Sequence, residues 1–212
     1  MSRSFVPAAG HDLFLPLYDP LWRLMGGHDL RASFIRDAGL ASDQDILDIG
    51  CGTGSLAVQI AENVMPDTRL IASDPDPKAL ARGEAKAQRA GVDVQWDEGF
   101  ADALPYDDDA FDRVTSSFMF HHLDLGVKRG TLREAHRVLK PGGELHLIDF
   151  GGPGERKDGL LAKLLHRHLH ENDGGGIGAL MTEAGFASVR EVARHKGLFG
   201  RFAHYRGTAH ES

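Results

Sequence analysis

Thiols, positive charge and long apolar runs are all scarce in this chain, and each scarcity removes a class of function. A single cysteine, Cys51, excludes an intramolecular disulfide and suits a reducing compartment. Lys and Arg total 24 against 31 Asp and Glu, a formal net charge of −7, so the clustered positive field that non-specific phosphate binding needs is missing. No stretch approaches the ~18 apolar residues of a spanning helix, and the opening Met1-Ser2-Arg3-Ser4-Phe5-Val6-Pro7 has no apolar h-region of a secretion signal. These absences predict a cytoplasmic protein with no nucleic-acid partner and no membrane span. There is no internal repeat and no low-complexity tail. What remains is ordinary for one globular domain: 212 residues, 42% hydrophobic and 26% charged, enough to bury roughly 70% of the unfolded surface without cross-links.

The most informative segment is Ile46-Leu47-Asp48-Ile49-Gly50-Cys51-Gly52-Thr53-Gly54-Ser55-Leu56. An apolar strand breaks into three alternating glycines and reopens as a helix, which lets backbone approach a ligand closely because glycine has no Cβ. Asp74 follows twenty positions beyond the last glycine, at the end of a second apolar run. A carboxylate there reaches ribose hydroxyls, and together the two strand ends describe a nucleoside cofactor laid across neighbouring parallel strands. A dinucleotide fingerprint, G-x-G-x-x-G/A, requires Gly or Ala where this chain has Ser55, which weakens a nicotinamide reading.

Periodicity and punctuation predict an alternation of strands (45–50, 69–73, 92–97, 111–117, 143–150) with helices (55–64, 77–90, 127–139). Such alternation implies right-handed crossovers and a parallel sheet covered on both faces. Ala90-Gly91 and Pro141-Gly142-Gly143 mark helix ends, and Pro66-Asp67 follows the first helix. Two short helices are expected within residues 11–40, an amphipathic helix over 157–170, a helix over 177–184, and strands near 187–195 and 200–208. The expected division is 1–40 as an N-terminal helical lid, 41–150 as the cofactor-binding core, and 151–212 as substrate lid and terminal strands.

Five ordered blocks carry a resemblance to class I S-adenosylmethionine-dependent methyltransferases, in particular the ubiquinone/menaquinone biosynthesis C-methyltransferases. Ile46 to Leu56 is similar to motif I, and Ala72-Ser73-Asp74-Pro75-Asp76-Pro77 to the acidic end of the second strand. Leu104-Pro105-Tyr106 with Phe111-Asp112-Arg113-Val114 resembles the L-P-F…F-D-x-V block. Arg137-Val138-Leu139-Lys140-Pro141-Gly142-Gly143 and Glu183-Ala184-Gly185-Phe186 resemble the R-V-L-K-P-G-G and E-A-G-F elements. The resemblance implies a doubly wound, Rossmann-like α/β fold with a seven-stranded, mostly parallel sheet in the order 3-2-1-4-5-7-6. It implies S-adenosyl-L-methionine as cofactor and methyl transfer to O, N or C of a small-molecule acceptor.

The resemblance also implies roles for individual residues. Gly50, Cys51, Gly52, Thr53 and Gly54 line the cofactor, Asp48 lies beneath its methionine amino end, Asp74 with Pro75 holds the ribose, and Ser117 touches the cofactor from the fourth strand. The family's G-D-A acid is replaced by Phe100 in Gly99-Phe100-Ala101-Asp102, so adenine is expected to rest on Ala101 backbone and aromatic packing, with Asp102 as a substitute. His121 and His122 end the fourth strand, where either is a candidate base for the acceptor's proton or a structural hydrogen-bonding group. Tyr18, with Trp22, is a candidate to close over the sulfonium by cation–π contact, or to serve as packing. His166 and His170 share one helix face without a third ligand, so no metal is expected. The alternatives are a non-catalytic S-adenosylmethionine-binding protein and a nicotinamide-dependent Rossmann oxidoreductase.

Overall fold

The computed structural model describes residues 27–64, 68–150, 176–197 and 200–209. The order is α1 (Gly27–Asp37), β1 (Asp45–Ile49), α2 (Ser55–Val64), β2 (Arg69–Asp74), α3 (Pro77–Ala90), β3 (Gln95–Glu98) and β4 (Phe111–Ser117). Then follow α4 (Leu125–Val138), β5 (Leu139–Phe150), α5 (Ile177–Glu183), β6 (Ala187–Gly197) and β7 (Gly200–Thr208). A single 3₁₀ turn, Phe120–His122, joins β4 to α4. The seven strands form one sheet in the order β3-β2-β1-β4-β5-β7-β6, parallel except where β7 runs antiparallel to β5 and β6. This is the sheet that the sequence implied, and its order reverses between β1 and β4, which puts a crevice outside their carboxyl ends.

Strand alternation divides the core into two halves. Leu47 and Ile49 point to the half closed by α4 and α5, with Leu132, Val138, Leu180 and Met181; Ile46 points to the half closed by α1, α2 and α3, with Phe34, Leu56, Ile60 and Ala87. Of the lid expected over 1–40, the described part is α1, and it is packed into the core through Phe34 and Ile35. Its side Phe34 ring lies against His204 and His146 of β7 and β5. Tyr18, Trp22 and the helix expected over 157–170 with its histidines lie outside the described residues.

Local chemistry explains the boundaries. Asp76 caps α3 by accepting the Lys78 N–H at 2.9 Å, Pro77 supplies a first-turn φ without wasting a donor, and Gly91 closes the helix at φ 69°. Two of the blocks noted in the sequence meet on Arg137. Its guanidinium donates to Glu134, to Asp108 and to the carbonyls of Tyr106 and Leu104, so the last turn of α4 fastens the loop that leads into β4. Three residues further along, Lys140 Nζ bridges Asp45 and Asp112 at 2.8 Å each, tying the starts of β1, β4 and β5 together. β5 is longer than expected because pairing of Phe111 with Leu139 and of Gly142 and Gly143 with Ala209 carries the sheet through Pro141-Gly142-Gly143.

Candidate active site

The glycine segment leaves β1 as a tight loop and enters α2. Gly50, Gly52 and Gly54 all have positive φ (65°, 54° and 71°), so the loop needs the residue type that reaches this region at little cost. Gly50 also has no space for a side chain: a Cβ there would lie 2.8 Å from Met119 Cβ. From the other side, Lys86 of α3 donates to Thr53 O, Thr53 Oγ1 and Ser55 Oγ at 2.7–2.9 Å and anchors the start of α2.

The loop's amides are largely spent on the protein itself. Gly50 and Cys51 N–H both bond Ser73 O, Gly52 N–H bonds Asp74 Oδ2 at 2.8 Å, and Gly54 N–H bonds Cys51 O. These four donors are thereby withdrawn from a pyrophosphate, which is what a dinucleotide would need of such a loop. The geometry therefore argues against the nicotinamide alternative.

What the crevice does offer is acceptors. Asp48 is 1% exposed at the end of β1; Oδ1 accepts from Thr115 Oγ1 at 2.9 Å and Oδ2 has no partner among the described residues. Burial pushes its carboxyl up to about 7, only partly offset by the Thr115 bond and the Arg31 charge. Asp74, also buried, accepts Gly52 N–H on one oxygen and Asp76 N–H (2.9 Å) on the other. Each oxygen keeps a lone pair, so a vicinal diol fits while the backbone bonds hold the carboxylate in plane. Desolvation raises this carboxyl as well, despite those two bonds. The helix cap beside it is Asp76, which leaves Asp74 out of capping. A ligand with hydroxyls and positive charge suits two buried acids short of donors, and S-adenosylmethionine supplies a ribose diol, an ammonium and a sulfonium. Burial and the two neighbouring carboxylates push the Cys51 thiol well up, which disarms it as a nucleophile.

Residues 46–143 match the Methyltransferase domain family. The demethylmenaquinone methyltransferase of Thermus thermophilus is 37% identical over 166 residues, 76% of this chain and 74% of that protein. The chain belongs to the class I S-adenosylmethionine-dependent methyltransferases, of the ubiquinone/menaquinone type. Its cofactor is S-adenosylmethionine. A second demethylmenaquinone methyltransferase, from Deinococcus radiodurans, is 34% identical over 79% of this chain and 68% of that one. Among solved structures, a SAM-dependent methyltransferase from Aquifex aeolicus superimposes with TM-score 0.65 at 18% identity, covering 84% of this chain and 89% of that one. A Haemonchus contortus phosphoethanolamine N-methyltransferase in complex with S-adenosyl-L-methionine gives TM-score 0.72 at 15% identity, over 88% and 54%. These two show the fold.

Of the remaining expected site residues, Pro75, Phe100, Ala101, Ser117, His121 and His122 lie at or just beyond the carboxyl ends of β2, β3 and β4. Pro75 begins the turn from Asp74 into α3, and Gly99 N–H bonds Asp74 O at 3.2 Å, which brings the Phe100–Ala101 turn beside Asp74. Phe100 pairs with Ala103 in an isolated bridge. Ser117 ends β4 opposite Ile148. Phe118 takes φ 56°, a conformation costly for an aromatic residue. Its ring sits edge-on to Phe150 and Phe202 at centroid separations of 5.9 and 5.1 Å, while Phe150 and Phe202 are 5.3 Å apart.

His121 and His122 follow in the 3₁₀ turn with their rings 3.9 Å apart. Desolvation and the adjacent His121 ring hold His122 down to about 4, so it is neutral at physiological pH. His121 Nδ1 lies 2.7 Å from Oδ1 of Asp149, a 1%-exposed residue near the end of β5. Asp149 was missed from sequence, although a carboxylate inside the apolar run Leu145–Phe150 carries the signal that singled out Asp48. Among the described residues no helix is long and apolar enough to cross a membrane, and no group of three or more His, Cys, Asp or Glu is arranged to hold a metal ion.

Proposed function

We propose that this methyltransferase is a cytoplasmic enzyme that methylates a ring carbon of a small aromatic acceptor of the reduced-quinone type. The observation that carries the acceptor is the 37% identity to a demethylmenaquinone methyltransferase across three quarters of both chains. The half-buried rings of Phe118 and Phe150, packed on the buried Phe202 beside the end of β4, support it, since flat aromatic ligands pack on ring edges and faces. When bound, S-adenosylmethionine supplies an electrophilic methyl group on a sulfonium sulfur.

The chain's own residues then orient and exclude water. Gly50, Cys51, Gly52, Thr53 and Gly54 give van der Waals room to the cofactor, Asp48 accepts from its ammonium, and Asp74 with Pro75 receives the ribose. Phe100 and Ala101 flank adenine, Ser117 contacts the cofactor from β4, and His121 or His122 faces the acceptor. Most of the rate is assigned to alignment of nucleophile, methyl and sulfur.

The test is titration calorimetry with S-adenosylhomocysteine, together with transfer of a labelled methyl group to a 2-alkyl-1,4-naphthohydroquinone held reduced. Product carrying the label on a ring carbon, and binding lost in Asp74→Ala, is the expected result. Tight cofactor binding with transfer only to amines or to hydroxyl oxygen would overturn the acceptor assignment.

A further inference from the structure

We propose that Asp149 is a positioning residue that holds His121 as the proton acceptor of the reaction, with Nε2 presented to the methyl acceptor and Nδ1–H bound to the carboxylate. This rests on the methyl-transfer reading above and goes beyond it by choosing between the two histidines and adding a residue with no assigned role. The argument begins with the carboxylate. Oδ2 accepts the backbone N–H of His121 at 3.0 Å, and Oδ1 accepts the backbone N–H of Phe150 at 2.7 Å. With both oxygens already accepting, the group works as a carboxylate, and the ring nitrogen 2.7 Å from Oδ1 is a donor. Neutral imidazole carries one N–H, so fixing it at Nδ1 leaves the Nε2 lone pair for chemistry.

The surroundings fix the ring itself. One carboxylate grips the backbone and the side chain of the same residue, the Phe150 edge meets the imidazole at 4.7 Å and 89°, and His122 covers it at 3.9 Å. His121 makes no Nε2 hydrogen bond to any described residue, and its side chain is 17% exposed, so the free nitrogen is reachable. Among the described residues His122 has no such orienting group. Asp149, in turn, is buried behind the ring with Lys128 and Asp124 the other charged groups on that side.

Charge and atoms balance simply. The acceptor loses a proton to Nε2, its electron pair forms the bond to the methyl carbon, and the bond to sulfur breaks with its pair left on sulfur. The sulfonium charge thus ends on an imidazolium that lies against Asp149. This selects acceptors that surrender a proton during methylation, an aromatic hydroxyl or the ring C–H beside it, over tertiary amines, which have none to give.

Two readouts test this. The first needs no acceptor: ¹H–¹⁵N correlation spectra of the histidine rings, with His121→Gln used to assign the signal, at a pH where the ring is neutral. The wild type is expected to show His121 protonated at Nδ1, and Asp149→Asn to shift the proton to Nε2, while S-adenosylhomocysteine affinity stays within twofold. A wild-type ring protonated at Nε2 would overturn the proposal whatever the acceptor proves to be. The second is turnover with the naphthohydroquinone probe. Asp149→Asn and His121→Gln are each expected to lower kcat by about 10²–10⁴-fold with KM little changed, the range general-base catalysis supplies, and His122→Gln by less than tenfold. Wild-type turnover matched by His121→Gln would refute the base role. No wild-type turnover of the probe would count against the quinol reading alone, leaving the tautomer measurement to decide this one.

Discussion

A methyl group placed on Gly54 probes the contact that joins the glycine loop to α3. The Trp96 ring lies between the two elements: a Cβ at Gly54 would come within 2.5 Å of Trp96 Cζ3 and 3.0 Å of Gly83 Cα, and a Cβ at Gly83 would come within 2.6 Å of Trp96 Cη2. The two glycines differ in backbone. Gly54 has φ 71°, whereas Gly83 lies inside a regular helix. Gly54→Ala therefore carries a left-handed penalty of about 1–2 kcal/mol and an overpacking penalty of about 1–3 kcal/mol, together about 2–5 kcal/mol. Gly83→Ala carries the same overpacking but regains about 1 kcal/mol of helix propensity, for a net loss of about 0–2 kcal/mol. Trp96→Leu separates the contributions. In that background Gly83→Ala should become neutral or stabilising, while Gly54→Ala should retain its backbone cost of about 1–2 kcal/mol. Urea unfolding of the six proteins, read at constant m, gives every quantity. A Gly54→Ala cost below 1 kcal/mol, or one untouched by Trp96→Leu, would refute the reasoning.

Other outcomes follow from the same structure. Asp48 has its folded-state carboxyl raised from 3.8 to about 7, so the native state holds a proton that the unfolded chain releases. Stability of the ligand-free protein should fall as pH rises between about 4 and about 7, and Asp48→Asn, which keeps a partner for Thr115, should flatten that slope; equal slopes in paired denaturation curves would refute it. Arg137→Lys cannot reproduce four partners with a single ammonium, and should cost about 2–3 kcal/mol, the scale of losing charged hydrogen bonds; an unchanged urea midpoint would count against it. Lys140→Met leaves Asp45 and Asp112 facing each other without their shared cation. The Asp112 carboxyl, held low chiefly against its desolvation by the Lys140 bond, should then titrate higher by NMR.

Much of this architecture was legible in the chain because it is local. The β7 range and the α3 boundaries follow from apolar runs, Pro77 and Gly91, and the sheet order came with the five motif blocks. The glycine loop, Asp48 and Asp74 were legible as strand-end features because they sit at the ends of strands that sequence already marked. Long-range pairings were not. Asp149 and His121 are 28 residues apart and meet only because Ser117 pairs with Ile148 in the β4–β5 register. The start of β3 at Gln95 rather than 92 reflects which residues β2 pairs with, starting at Ile71↔Gln95. The onset of β5 at Leu139 likewise depends on Phe111 and Ala209, which no stretch of local sequence announces.

The antiparallel β7 lies between β5 and β6 although it follows both in the chain. During synthesis, the strands that form the crevice, β1 to β4, emerge and can pair before the sheet is closed. Until β7 arrives, β5 is a bare edge whose Leu145 to Asp149 run is destined for full burial, a surface that invites pairing with a neighbouring nascent chain. Phe202, Ala203 and His204 complete both that edge and one wall of the aromatic triad. The end of the sheet that carries the glycine loop is therefore finished by a late-made strand, so a ribosome-released fragment lacking β7 should retain that loop yet aggregate through β5.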